Sequence, residues 1–239
     1  GRNTSSSAMR EKTAIGVWPG EPSRVSQPYA YKPLGVVLRK EERRERAERG
    51  AMELRPLVVR TGTVKEAAGS AYVEMGRTKV LVSVHGPRPD PRAAHFSNTG
   101  RLECSVKMAP FCEANDLEEH EKQMPLLLCA ALEAAVNLNR FPKSVVTICA
   151  QVLEIDGDTT SAAITCASLA LADACIEMFD LVGACAVVKK GEGQLVVDPE
   201  GDEMVGRAAA VVASMPSRGE VTLLSHHGEM GVEELQQAL

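Results

Sequence analysis

The stretch VVTICAQVLEIDGDTTSAAITCASLALADACI, Val145 to Ile176, constrains the fold more than any other part of this 239-residue chain. Its first third reads as a long buried strand, because apolar and β-branched residues run on with Glu154 as the one charge. DGD then makes a turn, and SAAITCASLALADACI reads as a helix that is apolar nearly all round. A helix with no polar face has to lie inside the protein, and its Ala, Ser and Cys side chains are small enough for neighbouring layers to pack closely. The rest of the chain has to supply those layers.

It does so with short strands. PLVVRTG, SAYVEMG and TKVLVSVHG are rich in β-branched residues and punctuated by Gly62, Gly69, Gly76 and Gly86, the pattern of a meander with glycine turns. Arg101 to Lys107 alternates strictly, with Leu102, Cys104 and Val106 set against Glu103, Ser105 and Lys107, which predicts a strand with one buried side. Met124, Leu127, Leu128, Ala131, Leu132, Ala135 and Val136 form a helical stripe that should cover a sheet, and Pro125 is expected in its first turn, where the missing N–H is harmless. LVGACAVV, QLVV, AAVVAS and EVTLL read as further strands, and GVEELQQAL opens a last helix that is expected to be truncated. The order predicts an α+β fold, mixed β-sheets covered by helices, over residues 53–239. Ahead of it, residues 1–38 are rich in Ser, Pro and Gly and read as a flexible arm. Residues 39–52, which include RKEERRERAER, read as a charged helical segment with salt-bridged solvent faces.

Composition narrows the function. The eight Phe, Tyr and Trp residues are scattered, which argues against stacking bases on an aromatic platform. A net charge of −5 removes whole-molecule attraction to polyanions, so any contact with nucleic acid has to come from local basic stretches or from partners. The seven cysteines show no CxxC or Cys/His ligand spacing and mostly sit in apolar runs, which predicts buried, reduced thiols in an intracellular compartment. No metal is expected, since the adjacent His226 and His227 would point apart on a strand and have no third ligand. His85 reads as the end of a strand, and no cysteine is flanked by the basic residues that would make it a nucleophile. No apolar run approaches the roughly 18–20 residues of a membrane-spanning helix, so no membrane partner is expected.

Particular residues go further. ELRPLVVRTGTVKEAAGSAYVEMGRTKVLVSVHGPR (Glu53 to Arg88) resembles the N-terminal signature of the RNase PH family, and GRLECSVKMAPF (Gly100 to Phe111) resembles that family's strand leading into APF. LEIDGDTTSAAIT (Leu153 to Thr165) is similar to its LQADGGTRTAAIT segment, and SLALADACIEMFDLVGA (Ser168 to Ala184) to the helix and strand that follow. The resemblance implies an RNase PH-like fold, of the ribosomal protein S5 domain 2-like kind. LALADACIEMFDL and LVVDP most resemble the mRNA transport regulator 3 type of subunit in the eukaryotic RNA exosome ring.

The resemblance also marks departures. Active members use a phosphate ion to attack the 3′-terminal phosphodiester, which calls for guanidinium groups and backbone N–H donors at a helix N-terminus. Here the phosphate-gripping Arg aligns with Thr160 and the second Gly with Asp158. Asp158 or Thr159 reads as an ordinary N-cap, and a carboxylate there takes the positive end of the helix dipole. Asp158, Thr159 and Thr160 are thus expected to be a degenerate phosphate site. The arginine-rich loop that follows APF in active members is replaced by CEANDLEEHE, with Glu113, Asp116, Glu118, Glu119 and Glu121. The family's D-L-D-Y-x-E-D run becomes DPEGDEM: Asp198 matches the first Asp, Glu200 stands in for the second, Glu203 matches the Glu and Met204 replaces the last Asp. That degenerate acidic site reads as a solvated turn. Between Arg77 and Lys107, six basic residues face two acidic ones, and Arg88, Arg92 and Arg101 are the expected RNA-phosphate contacts.

The expectation is a non-catalytic subunit of an exosome ring that needs no cofactor. As the resemblance implies, it would pair with other RNase PH-like subunits as a heterodimer within a six-membered ring. S1/KH-type subunits would cap that ring and RNA would thread it, in the nucleus, nucleolus and cytoplasm. The alternative is an active phosphate-dependent 3′ to 5′ exoribonuclease whose missing arginines come from a neighbouring subunit.

Overall fold

The computed structural model describes residues 49–90, 98–112, 117–191, 194–204 and 207–238, so the expected arm and most of the charged segment lie outside the described residues. Five strands form the first sheet: β1 (Leu57–Thr61), β2 (Gly69–Met75), β3 (Thr78–Pro89), β4 (Arg101–Met108) and β5 (Ser144–Glu154), in the order β1-β2-β3-β5-β4. All pairs are antiparallel except β4 with β5. A second, antiparallel sheet is ordered β7 (Gln194–Val197), β6 (Gly183–Lys190), β8 (Ala209–Met215), β9 (Glu220–His227). Between the sheets lie α1 (Leu117–Glu133), packed on β4 and β9, and α2 (Thr159–Asp173), packed on β2, β3, β6 and β8. Two short helices, α3 (Gly201–Met204) and α4 (Val232–Ala238), follow β7 and β9. No described helix is long and apolar enough to cross a membrane.

The sandwiched position of α2 explains its lack of a polar face. Ala162, Ala163, Ile164, Cys166, Ala167, Ala170 and Leu171 are all fully buried, against Ala71, Val73, Val80, Val82 and Val84 of the first sheet and Ala213 and Met215 of the second. β5 differs from the expectation of a strand buried throughout. Val146, Ile148, Ala150 and Val152 face the helices, while Thr147 and Cys149 are half-buried and Gln151 is exposed on the opposite face.

Other expectations are also corrected. Gly62 and Gly76 do make left-handed turns, but Gly69 opens β2 and Gly86 sits inside β3 at a register shift, so His85 does not end its strand. α1 starts at Leu117, and Pro125 lies in its third turn rather than its first. The stripe from Met124 to Leu132 marks the buried part of that helix, whereas Ala135 and Val136, also buried, lie beyond its end at Glu133 in a turn and an isolated bridge to Met178. The first two turns of α1, LEEHEKQ, extend it with residues of good helix propensity. Of the thiols, Cys112 and Cys166 are buried, Cys104, Cys129, Cys149 and Cys185 are half-buried and Cys175 is exposed, and all are free.

Candidate phosphate and RNA sites

The turn between β5 and α2 brings the two degenerate sites together. Asp158 is the N-cap of α2, and its carboxylate accepts hydrogen bonds from the backbone N–H groups of Thr160 at 3.1 Å and Ser161 at 2.8 Å. These are the donors that an anion at this helix end would use. Gly157 has φ +91°, and a side chain there would run into the Pro199 carbonyl oxygen, so the turn is pressed onto the start of the acidic run. Asp158 is 4% exposed. Burial pushes its carboxyl up, against the opposing hydrogen bonds from Ser161 and Thr160 and the charge of Arg55. The hydroxyls of Thr159 and Ser161 at the same helix end are buried and have no hydrogen-bond partner among the described residues.

Asp198 overturns the expectation of a solvated turn. It is 1% exposed, with a left-handed backbone at φ 51°, and its carboxylate is gripped by Arg55: the backbone N–H at 2.7 Å, Nε at 2.9 Å and Nη2 at 2.7 Å. Arg49 adds Nη1 at 3.4 Å and reaches Glu200 with Nη2 at 3.1 Å. The other end of the Arg55 guanidinium donates to Thr78 Oγ1 at 3.3 Å and to the Asp156 carbonyl oxygen. Asp156 in turn accepts the Gly201 N–H on Oδ1, and Glu203 Oε2 accepts the Glu200 N–H at 3.1 Å. Burial alone would raise the Asp198 carboxyl. The hydrogen bonds and charge of Arg55, with the charge of Arg49, outweigh it and hold the group below the usual aspartate value.

Asp198 and Glu203 are therefore buried and Glu200 half-buried, and Arg49 and Arg55 make the start of the DPEGDEM run a structural joint. Among the described residues, no group of three His, Cys, Asp or Glu side chains is placed to hold a metal ion. The sequence reading missed both arginines. Local sequence carries no signal for Arg55, since Leu54, Pro56 and the strand that follows are exposed and its carboxylate partner lies 143 residues away.

The basic stretch is mostly compensated within the chain. Arg77 and Lys79 pair with Glu154 at 3.6 and 2.9 Å, Arg101 pairs with Glu103 at 2.7 Å and Asp90 at 3.6 Å, and Lys107 reaches Glu121 at 3.7 Å. Arg88 is exposed and makes no ion pair among the described residues, and Arg92 lies outside them. Arg88 on β3 and Arg101 on β4 both stand opposite Val145 of β5, so the sheet sets them in one row two strands apart, about 10 Å. Of the acidic residues after Phe111, Glu121 accepts the Met108 N–H at 2.9 Å, which ties α1 to the end of β4. Glu113 and Asp116, and the side chains of Glu118 and Glu119, lie outside the described residues.

Residues 53–177 match the profile of the 3′ exoribonuclease family, domain 1, known as RNase PH. This chain belongs to the RNase PH family. Its relatives include the Rrp41-like exosome complex component of Arabidopsis thaliana, 40% identical over 193 residues that cover 80% of this chain and 75% of that protein. Another is the exosome complex component Rrp41 of Pyrococcus horikoshii, 39% identical over 87% of this chain and 86% of the relative. The RNase PH fold is equally clear in three dimensions. Rice Rrp46 superposes with a TM-score of 0.73 at 24% identity, over 80% of this chain and 89% of the other. A subunit of the Archaeoglobus fulgidus exosome with RNA bound to the active site superposes with a TM-score of 0.71 at 20% identity, over 90% and 92%.

Proposed function

We propose that this RNase PH-family chain is a non-catalytic subunit of an RNA exosome core ring, which helps to build the channel through which RNA reaches a nuclease. Its relatives named as exosome complex components support the ring. The observation that carries the loss of catalysis is Asp158, whose carboxylate takes the N–H groups at the start of α2, with Thr160 where the family's arginine would stand. A phosphate brought there would meet a negative charge in place of a guanidinium. The partners are then other RNase PH-like subunits, S1/KH-type caps and RNA, and the locations are nucleus, nucleolus and cytoplasm.

Within the ring we assign the chain to the mRNA transport regulator 3 type, on LALADACIEMFDL and LVVDP. Two relatives at 39–40% identity carry the Rrp41 name, so crosslinking mass spectrometry of the assembled ring, which identifies the neighbours, decides between the positions.

The catalytic question is settled by incubating the purified chain, and separately its heterodimer with a second RNase PH-like subunit, with 3′-single-stranded RNA and inorganic phosphate. No phosphate-dependent release of nucleoside diphosphates is expected from either. The buried, unpartnered hydroxyls of Thr159 and Ser161 favour the second reading, a site completed by a neighbour's arginines. Release by the heterodimer alone would establish that reading, and release by the chain alone would overturn both.

A further inference from the structure

One end of the second sheet borders a cavity of about 600 Å³. Strand register creates it: Val188 of β6, Ala209 of β8 and His227 of β9 stand side by side, and the residues next to them in sequence form the walls. Those walls carry Lys189, Met204, Arg207, His227 and Glu229. Gly228, with φ +85°, closes one side against Ala208, where a Cβ would lie 2.8 Å from Ala208 Cα. The cavity is separate from the Asp158 and Asp198 turns. The Asp198 N–H donates to the Ala186 carbonyl oxygen at 2.8 Å, and Lys189 is three residues further along β6, roughly 10 Å away. We propose that this cavity binds a nucleoside monophosphate whose base carries an amino group, with the phosphate on Arg207 and His227 and the base on Glu229.

What singles out the cavity is unspent polar capacity. Elsewhere Arg77, Lys79, Arg101, Arg140 and Arg218 are matched by carboxylates. Here Arg207, His227 and Glu229 line one exposed cavity, and among the described residues their side chains make no hydrogen bond or ion pair. Lys189 is different. Glu234 holds its Nζ with both carboxylate oxygens, at 2.7 and 2.9 Å, so it stands as a fixed wall with its charge largely met. A planar guanidinium offers two parallel N–H groups to phosphate oxygens, and an imidazole N–H on the same wall adds a third. A carboxylate only accepts, so Glu229 turns the phosphate away and takes the amino group of cytosine, adenine or guanine. The Met204 thioether gives the ring a polarizable, apolar contact. The volume falls within the roughly 300–1,000 Å³ of small-molecule sites, and the exposure of Arg207, His227 and Glu229 leaves the entry open. The proposal stands on this cavity alone and is independent of whether the chain is catalytic.

The test titrates the full chain with CMP, UMP and inorganic phosphate in separate calorimetric runs and follows the backbone amides by proton–nitrogen NMR. CMP should bind about tenfold more tightly than inorganic phosphate and than UMP, which has a carbonyl where cytosine has its amino group. The amide shifts should centre on Gly191, Arg207, Gly228 and Glu229. Arg207→Ala removes no side-chain contact among the described residues, and it should weaken CMP about tenfold or more. Glu229→Ala should abolish the difference between CMP and UMP. Displacement of CMP by a 5′-phosphorylated oligocytidine identifies an RNA end as the source of the ligand, and CMP binding without such displacement identifies the free nucleotide; either result upholds the site. No binding of CMP, binding no tighter than that of UMP or inorganic phosphate, or shifts confined to Thr160 and Ser161 at the start of α2 would overturn the proposal. The wild-type titrations and shift maps decide it even if a variant fails to fold.

Discussion

Asp158 and Asp198 are buried aspartates on facing turns, and their surroundings push them in opposite directions. Asp198 is paired with a guanidinium that is itself buried, so Asp198→Asn strands Arg55 without its charge partner, and a loss of about 3–5 kcal/mol is expected in urea unfolding at pH 7. Its folded value is depressed, so its contribution is present above the ordinary aspartate pKa of about 3.9 and is lost as pH falls through the folded value. The Asp158 value is raised, so the sign reverses: its contribution is present at acid pH and fades as pH rises through the folded value. Asp158→Asn keeps a good N-cap and removes the buried charge. Between acid and neutral pH, the wild-type urea midpoint should therefore fall relative to that of the Asn variant, and parallel curves would refute the assignment. The cap was legible in the sequence because Asp-Thr-Thr-Ser ahead of an apolar helix is a local signal. The Arg55–Asp198 pair was not, because 143 residues separate its partners and only the closed fold brings them together.

The elements themselves were largely legible, since period-2 alternation and helical stripes are local properties. What periodicity could not supply was the charged start of α1, the parallel pairing of β4 with β5, or the use of Gly69 as a contact point instead of a turn. A Cβ on Gly69 would lie 2.5 Å from the Ala170 carbonyl oxygen and 2.6 Å from Ala174 Cα, backbone atoms that no rotamer change can move. Gly69→Ala should therefore push β2 away from the end of α2 and cost about 1–3 kcal/mol, the range for overpacking a tight contact. Denaturant unfolding measures this directly. An unchanged midpoint would mean that the two elements are not in fixed contact in solution.

Two helices between two sheets leave each sheet with an outer face and two edges, and among the described residues β1 is an open edge of the first sheet. All five of its residues are exposed, with Leu57 at 54%, Val58 at 43% and Val59 at 41%. An apolar edge with one charge in it, Arg60, is a template for pairing with another strand. Composition could not show this, because an apolar residue counts the same whether it lies in the core or on an edge. For the isolated chain the expected consequence is concentration-dependent association through β1. Val58→Lys places a cation opposite Glu74 of β2, where a cross-strand pair can accommodate it without disturbing the core. Sedimentation velocity over a concentration series should show oligomers for the wild type and a marked shift to monomer for the variant, with the melting temperature nearly unchanged. If the variant associates as the wild type does, β1 is not the contact.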